Sequence, residues 1–149
     1  MTGEDMRHSV SVAGVVIDEN ARALLIQRRD NAHWEPPGGI LERNETITEG
    51  LVREVREETG LIVEPIALTG VYKNMTRGIV ALVFRCRAMS GTLTENAEVT
   101  GFRWIRESEV NAIMSEVYAV RVLDAYRSSG VPSVRDHDGV RLVASARSR

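Results

Sequence analysis

The sequence has only one cysteine, Cys86, which lies within the apolar stretch IVALVFRC. A single cysteine cannot form an intrachain disulfide, and it offers no cysteine cluster for a metal ion. We therefore interpret Cys86 as a buried thiol within a β-strand.

Targeting and membrane signals are also lacking. The start of the chain, MTGEDMRHS, has neither the basic end nor the apolar centre of a secretory signal peptide. No apolar run approaches the roughly 20 residues that a membrane-spanning helix needs. These absences predict a cytoplasmic protein that does not interact with membranes.

A strong charge of either sign is missing as well. The formal net charge is -2 over 149 residues, so nothing indicates nucleic acid or an anionic membrane as a partner. The chain also lacks internal repeats and low-complexity linkers. We predict a single domain over residues 1–149, with a core at about 8–130 and a C-terminal extension at 131–149.

Several apolar stretches predict β-strands. SVSVAGVVI covers residues 9–17, and ALLIQRR begins at Ala23 after the turn DENA. IVEPIALTGVY and GIVALVFRCRA follow, with KNMTR as the turn between them, and GFRWI is a shorter strand. The segment DNAHWEPPGG has paired prolines and glycines that favour a rigid turn.

Helical patterns are fewer. A helix is predicted from about Thr46 to Thr59, with Asn44 or Thr46 as its N-cap and Gly60 as its stop signal. SEVNAIM and EVYAVRVLDAYRSS predict further helices, the second ending near Gly130, and its broad apolar face covers the sheet or takes part in a homodimer. A strand at VRLV and a frayed SARSR tail complete the chain. This mixture predicts an α/β sandwich with helices covering a mixed sheet.

The helix near residue 50 is unusually acidic. Glu54, Glu57 and Glu58 share one face because helical residues three and four apart are neighbours, while Leu51 and Val55 give the helix a buried side. Like charges at these spacings cost about 0.2–0.5 kcal/mol per pair. The acidic face has two interpretations: a solvated surface, or a site for a hard cation such as Mg²⁺ or Mn²⁺, which carboxylate oxygens suit.

The spacing around this helix is more specific than its charge. Residues 39–61 read GILERNETITEGLVREVREETGL. This stretch resembles the Nudix box, the signature of the Nudix hydrolase family, at every specified position. With average residue frequencies, a chance match at one start position is on the order of 10⁻⁹. The preceding PPGG and the later GFRWI also fit the layout of the family.

The resemblance implies both a fold and an activity. Members of the family fold as an α/β/α sandwich with a mixed β-sheet, on which the box forms a loop-helix-loop. They hydrolyse a nucleoside diphosphate linked to another group, using Mg²⁺, for which Mn²⁺ can substitute. The expected substrate partner is therefore a nucleotide.

The resemblance also assigns residues to a site. The positions that match the family's metal site are Gly39, Glu54, Glu57 and Glu58. Arg53 matches the arginine that holds the catalytic glutamates in place by ion pairing, and Glu45 matches the first glutamate of the box, which supports the loop.

The group that takes the proton from the attacking water is left open by the resemblance. In the family it is either a glutamate of the box, such as Glu54 or Glu57, or a glutamate outside it. The outside candidate lies in ENAEVTGFRW. We favour Glu98, which would then also be a metal ligand, with Glu95 as the alternative.

Candidates for substrate binding lie outside the box. Arg28 and Arg29 end the second strand, where an arginine binds a phosphate or pairs with a surface acid. Trp34 packs under the PPGG loop or stacks on a base, and Tyr72 and Asn74 fall where the family places substrate loops. The three histidines, His8, His33 and His137, are interpreted as polar surface residues.

The substrate class is inferred from the residues downstream of the box. Met75 or Thr76 stands where ADP-ribose hydrolases of the family often have a proline, and Gly78 or a neighbour where diadenosine polyphosphate hydrolases have a tyrosine. The compact chain also lacks the N-terminal portion of many ADP-sugar hydrolases. We therefore expect a nucleoside triphosphate to be cleaved to the monophosphate and pyrophosphate.

Three alternatives stay open. One is an ADP-ribose or nucleotide-sugar pyrophosphatase. Another is a nucleotide-sensing domain without catalysis, although such domains usually lose box acids that this chain keeps. The third is an RNA-end hydrolase. The only support for it is the group of arginines near the C-terminus, namely Arg135, Arg141, Arg147 and Arg149.

Overall fold

The computed structural model describes residues 6–127 and 129–144. Nine strands and three α-helices are formed within this part of the chain. The strands are β1 (Ser9–Val16), β2 (Arg22–Arg28), β3 (Trp34–Glu35), β4 (Gly38–Ile40), β5 (Leu61–Asn74), β6 (Ile79–Gly91), β7 (Val99–Arg106), β8 (Ser133–His137) and β9 (Leu142–Val143). The helices are α1 (Ile47–Thr59), α2 (Val110–Ile113) and α3 (Glu116–Ala125), and a 3-10 turn at Glu107–Glu109 precedes α2.

The strands form two sheets. The larger sheet has the order β4-β1-β6-β5-β8-β9, and the smaller has the order β3-β2-β7. β1 runs parallel to β6, and β5 runs parallel to β8, whereas β5 and β6 form a long antiparallel hairpin. The larger sheet is therefore mixed, as expected from the sequence.

Alternating residues of β1 feed two cores on opposite faces of the larger sheet. Val12 and Val16 pack towards α1, together with Leu51 and Val55 of that helix. Ala13, Val15 and Ile17 belong to the second core, which α3 covers. Each face of the sheet thus has its own helical layer, and the predicted α/β/α sandwich is confirmed.

Helix α1 begins and ends where its sequence signals indicate. Thr46, and not Asn44, is the N-cap: its side chain accepts from the backbone N–H of Glu49, whose carboxylate in turn accepts from the N–H of Thr46. Gly60 ends the helix with φ +85°, a left-handed conformation that glycine adopts without steric cost.

The C-terminal elements differ from the prediction. Helix α3 ends at Ala125, not near Gly130. The strand expected at VRLV is reduced to the two residues of β9, and the strand β8 before it was not predicted. The SARSR tail at 145–149 lies outside the described residues.

In the described ranges, no helix is long and apolar enough to cross a membrane. Cys86 is a buried strand residue, 1% exposed, as the apolar stretch around it predicts.

Candidate active site

The three clustered glutamates of α1 lie beside the paired glycines of β4. The helix is fixed there because its apolar side packs on β1 at Gly14, where a Cβ would lie 3.1 Å from Val55 Cγ2. Glu54 and Glu58 are largely shielded, while the side chain of Glu57 is 55% exposed. The face that the helix turns away from its core is therefore the acidic one.

Arg53 is the hub of this face. Its guanidinium donates two hydrogen bonds to the Glu45 carboxylate, at 2.8 and 2.6 Å. It also donates to Glu54 at 2.7 Å, to Glu57 at 3.2 Å and to the carbonyl of Ile40 at 3.2 Å. One cation thus fixes the positions of three carboxylates and ties the loop before α1 to the helix.

The paired glycines let the backbone of β4 approach the carboxylates. The N–H of Gly38 donates to Glu58 Oε1 at 2.7 Å. A Cβ added at Gly39 would collide with Oε2 of Glu54, so only glycine fits there without moving that carboxylate. Glu58 thus meets the β4 backbone at Gly38, and Glu54 meets it at Gly39.

The crowding of negative charge on this face shifts the pKa values of its glutamates. The pKa of Glu58 is raised to about 7: burial is the main cause, the hydrogen bond from Gly38 opposes it, and the charges of Glu54 and Glu98 add to it. Burial also raises the pKa of Glu54, although Arg53 opposes the shift. By contrast, the hydrogen bonds from Arg53 lower the pKa of Glu45 to about 2. The face has more carboxylate charge than its single arginine neutralises.

This donor set fits a divalent cation. Carboxylate oxygens and a backbone carbonyl are the ligands that Mg²⁺ and Mn²⁺ prefer, and glycine at position 39 leaves its backbone accessible beside Glu54. With the side chains as they stand, no three acidic, histidine or cysteine groups within residues 6–127 and 129–144 enclose a metal position. Glu54 and Glu57 both face Arg53, so an exposed side chain such as Glu57 would have to turn to complete a site.

A loop before β7 brings Glu98 towards the acidic helix. Asn96 anchors this loop, because its side-chain amide donates to the carbonyl of Glu58 at 3.0 Å and its Oδ1 accepts from the N–H of Glu98 at 2.9 Å. Glu98 lines an opening of about 480 Å³ together with Arg28, Arg29 and other residues of the two loops. This position favours Glu98 over Glu95 as the outside candidate.

The two arginines at the end of β2 have structural partners. Arg29 donates to the carbonyls of Asn96 and Ala97, each at 3.0 Å, so it braces the loop that carries Glu98. Arg28 pairs with Asp30 at 2.7 Å and reaches Glu35 at 3.4 Å. Arg28 therefore pairs with acids, which was one of its two predicted roles. Arg29 donates to backbone carbonyls, a role that was not among those predicted for it.

Trp34 and Tyr72, the two aromatic candidates for substrate binding, have different surroundings in the structure. Trp34 is half-buried against the α3 core, and Arg103 lies over its ring at 5.6 Å, so packing is its observed role. Tyr72 was predicted to bind substrate, but this is wrong. It is 0% exposed, and its hydroxyl donates to Asp124 at 2.7 Å within the core, where a substrate has no access.

Two further interpretations need correction. The prediction that His137 is a surface residue is wrong, since it is 2% exposed because β8 joins the larger sheet. Arg135 was considered as part of an RNA-binding tail, yet it makes two 2.8 Å hydrogen bonds to the buried Asp124. Arg147 and Arg149 lie outside the described residues.

Sequence reasoning missed Asn96 and Asp124. Asn96 organises the Glu98 loop, but it stands in a polar turn that resembles any other. Asp124 falls within an apolar helical stretch, VYAVRVLDAY, and this isolated acid was the signal that could have indicated a buried ion pair.

Comparisons with known proteins agree with this geometry. A family model described as the NUDIX domain matches residues 7–126. A MutT-like protein from Streptomyces ambofaciens is 56% identical over 136 residues, which cover 91% of this chain and 88% of that protein. An ADP-ribose pyrophosphatase from Methanocaldococcus jannaschii is 37% identical over 92 residues, which cover 57% of this chain and 54% of that protein. A crystal structure of a NUDIX hydrolase from Nitrosomonas europaea has a TM-score of 0.74 at 26% identity, and the match covers 88% of this chain and 80% of that chain.

Proposed function

This chain belongs to the Nudix hydrolase family, and on that premise we propose that it hydrolyses a nucleoside triphosphate, with Mg²⁺ or Mn²⁺, to the monophosphate and pyrophosphate. The observation that carries the proposal is the convergence of Glu54, Glu57 and Glu58 beside Gly39, with Arg53 between the carboxylates.

The acidic face is the proposed metal and reaction site. Its ligands would be the carboxylates of Glu54, Glu57 and Glu58, the backbone of Gly39 and the carboxylate of Glu98. When bound, a divalent cation would neutralise charge on the phosphates and make an attacking water more acidic. The chain's own groups then orient the reaction: Arg53 holds Glu54 close to the β4 backbone, and the exposed Glu57 would turn from Arg53 to the cation.

Glu98 is the proposed acceptor of the water proton, with a box glutamate as the alternative. Its loop is braced by Arg29 and anchored to the end of α1 by Asn96, which holds the carboxylate at the opening next to the acidic face. A carboxylate there can receive a proton from a water that attacks a phosphorus atom, while the pyrophosphate departs on the opposite side.

A nucleoside triphosphate is the proposed substrate because neither downstream marker is present. Met75, Thr76 and Gly78 occupy the positions where a marker proline or tyrosine would stand. ADP-ribose is the second candidate, and the observation that favours it is the activity for which the Methanocaldococcus jannaschii relative is named. The retained carboxylates at Glu54, Glu57 and Glu58 argue against a sensing domain without catalysis.

We also propose that residues 1–149 form one domain, with 131–149 extending a core of about 8–130. The parallel pairing of β8 with β5 supports this, since it joins the C-terminal residues to the larger sheet. The cytoplasmic location and the homodimer stay predictions from the sequence.

The test is hydrolysis with Mg²⁺ over a panel of substrates, followed as pyrophosphate release for the triphosphates and as formation of the nucleoside monophosphate for the substrates that release neither pyrophosphate nor phosphate. The panel holds ordinary and oxidised nucleoside triphosphates, ADP-ribose, nucleotide sugars and dinucleoside polyphosphates. We expect Glu57→Gln to lower turnover on the order of 100-fold or more while the protein stays folded, because it removes a charge aimed at the cation. Glu64→Gln is the matched control, since it removes an exposed carboxylate that pairs with Arg87.

Each outcome decides something. Turnover of triphosphates above that of the Glu57→Gln variant supports the proposal. Turnover of ADP-ribose alone would mean that ADP-ribose, and not a triphosphate, is the substrate. A Glu57→Gln variant as active as Glu64→Gln would contradict the metal assignment. Silence of the wild-type protein across the panel would contradict hydrolysis of these substrates.

A further inference from the structure

A second cavity continues from the opening at Glu98. It has a volume of about 500 Å³ and shares Arg28 and Asp30 with that opening. A volume of this size lies within the range of small-molecule sites, roughly 300–1,000 Å³. The two openings thus adjoin at the Arg28–Asp30 ion pair, so a substrate whose phosphates lie at the acidic face would pass this pair to reach the cavity.

One wall of the cavity comes from the C-terminal hairpin, which we define as β8, β9 and the turn Asp138–Arg141 between them. Asp138, Gly139 and Val140 of this turn line the cavity opposite the loop that follows β2. The hairpin follows the part of the chain that the family model matches, residues 7–126. This wall thus lies outside the range that the family model matches.

Hydrogen bonds fix the C-terminal hairpin to its neighbours. The N–H of Met75 donates to the carbonyl of His137 at 2.7 Å, and the hydroxyl of Thr76 donates to the carbonyl of Asp138 at 2.8 Å. The side chain of Asp138 caps its own turn by accepting from the N–H groups of Val140 and Arg141, at 2.9 and 2.8 Å. The wall is therefore joined to the turn between β5 and β6.

A buried ion pair between Asp124 and Arg135 joins the C-terminal hairpin to α3. Asp124 of α3 has a side chain that is 0% exposed, and it binds Arg135 of β8 through two 2.8 Å hydrogen bonds while Tyr72 donates to it at 2.7 Å. At the other end, the N–H of Leu142 donates to Glu116 at 2.8 Å. These contacts make the wall a positioned part of the fold.

The cavity lining suits a nucleoside better than further phosphates. The lining carries charges of both signs, since Arg28 and Arg77 lie there with Asp30, Glu35 and Asp138. Arg28 is engaged by Asp30 and Glu35, and the carboxylates can accept hydrogen bonds from the N–H groups of a base or the hydroxyls of a ribose. Tyr118 contributes a half-buried ring, which the guanidinium of Arg121 backs at 4.9 Å. A planar ring can stack on such a surface.

We propose that this cavity binds the nucleoside part of the substrate and that Val140, in the turn of the C-terminal hairpin, determines which bases fit. The proposal rests on the proposed function for the phosphate end of the same substrate. Val140 is 69% exposed, so a larger side chain there can project into the cavity without disturbing the core.

The test compares Val140→Trp with Val134→Trp. Both valines belong to the C-terminal hairpin and are exposed, but Val134, 77% exposed, is not among the residues that line the cavity. We measure kcat and KM for nucleoside triphosphates with different bases, and the inhibition constant of pyrophosphate, which has no nucleoside. A thermal unfolding curve for each variant establishes that it is folded, and Val140→Arg serves as a second block.

We expect Val140→Trp to raise KM on the order of 10-fold, to different extents for purine and pyrimidine substrates, with kcat much less affected. Inhibition by pyrophosphate should be unchanged, because the phosphate end is not touched. Equal KM values in both tryptophan variants, or weaker pyrophosphate inhibition in step with KM, would overturn the proposal.

Binding separates this inference from the proposed function. Calorimetry with non-hydrolysable triphosphate analogues reports the nucleoside pocket even if the wild-type protein hydrolyses none of the panel. Analogue binding that Val140→Trp weakens and Val134→Trp does not would uphold the pocket while the hydrolase proposal fails. Analogue binding that neither variant changes would overturn the pocket.

Discussion

At the scale of single residues, the site depends on two adjacent glycines that are needed for different reasons. A Cβ at Gly38 would collide with the carbonyl oxygen of Val12 and lie 2.7 Å from the Cα of Ala13. A Cβ at Gly39 would instead collide with the end of the Glu54 side chain. Backbone cannot move away cheaply, whereas a carboxylate can rotate. The first glycine therefore serves the sheet, and the second serves the site.

This difference gives a prediction. Gly39→Ala should leave the unfolding temperature nearly unchanged but lower turnover by about 100-fold, because displacing a reacting group by about 1 Å costs that much. Gly38→Ala should lower the free energy of unfolding instead, because it separates β4 from β1. Thermal unfolding and steady-state turnover of both variants check this, and the idea fails if Gly39→Ala is the less stable of the two.

The sequence predicted the role of a site residue well when its partners lie close to it along the chain, and poorly when they lie far from it along the chain. Arg53, Glu54 and Glu57 belong to one short pattern, so the pairing of this arginine with these glutamates was expected from the resemblance. Its pairing with Glu45 was not predicted. Arg29 contacts Asn96 and Ala97, which lie far away in the sequence, and no local spacing encodes such a contact. Tyr72 was misassigned for the same reason, since its partner Asp124 comes from a helix much later in the chain.

At the scale of elements, α1 carries most of the site and is fixed at both ends. Its first turn has a reciprocal capping box between Thr46 and Glu49, and its last turn is closed by Gly60. The N-terminal box satisfies N–H groups that have no partner within the helix, and the N–H of Gly60 donates to the carbonyl of Arg56 at the other end. The sequence predicted this helix closely because every one of these signals is local.

The N-cap gives a second prediction. Thr46→Ala should lower the free energy of unfolding by about 1 kcal/mol, as the loss of an N-cap hydroxyl usually does. Thr48→Ala is the matched control, since Thr48 is exposed within the same helix and alanine is the better helix former. Urea denaturation of both variants measures the effect. Equal stability of the two would mean that the capping box contributes nothing.

The C-terminal elements were predicted less well because their signals are not local. β8 reads SVRDH, with charged residues in its second half and no clear alternation. It forms a strand because its backbone pairs with β5 from Gly70 to Asn74 and because Arg135 meets Asp124. Tertiary contacts of this kind override weak propensity and cannot be read from the residues alone.

At the scale of the whole molecule, the joint between α3 and the C-terminal hairpin buries several polar groups. His137 lies there, and its Nδ1 accepts from the N–H of Gly139 at 3.0 Å. Burial lowers the pKa of His137, and the charge of Arg121, 3.4 Å from Nε2, lowers it further, while Asp136 and Asp138 raise it by less. Protonation of this ring is therefore disfavoured in the folded protein.

A third prediction concerns pH. Because the unfolded chain takes up the proton more readily, the stability associated with the neutral ring is fully present above about pH 6.5 and is lost as pH falls towards the lower pKa of the folded state. Glu58, with its pKa raised to about 7, acts in the opposite direction over the same window, so the prediction concerns the difference between proteins. As pH falls, the free energy of unfolding of the wild-type protein should decrease relative to that of His137→Asn. Urea denaturation at several pH values, with His8→Asn as the exposed control, tests this. An unchanged slope in His137→Asn would assign the effect to other groups.

The parallel pairings of the larger sheet also determine when the chain can acquire its structure. Ser9 at the start of β1 pairs with Ile79 of β6, and Gly70 of β5 pairs with Ser133 of β8. During synthesis, β1 leaves the ribosome long before its main partner exists. Until the hairpin of β5 and β6 has been synthesised, the three-residue strand β4 is the partner that β1 has in the larger sheet. While β1 lacks its main partner, its edges are exposed to neighbouring chains. Chaperones act on nascent proteins at this stage.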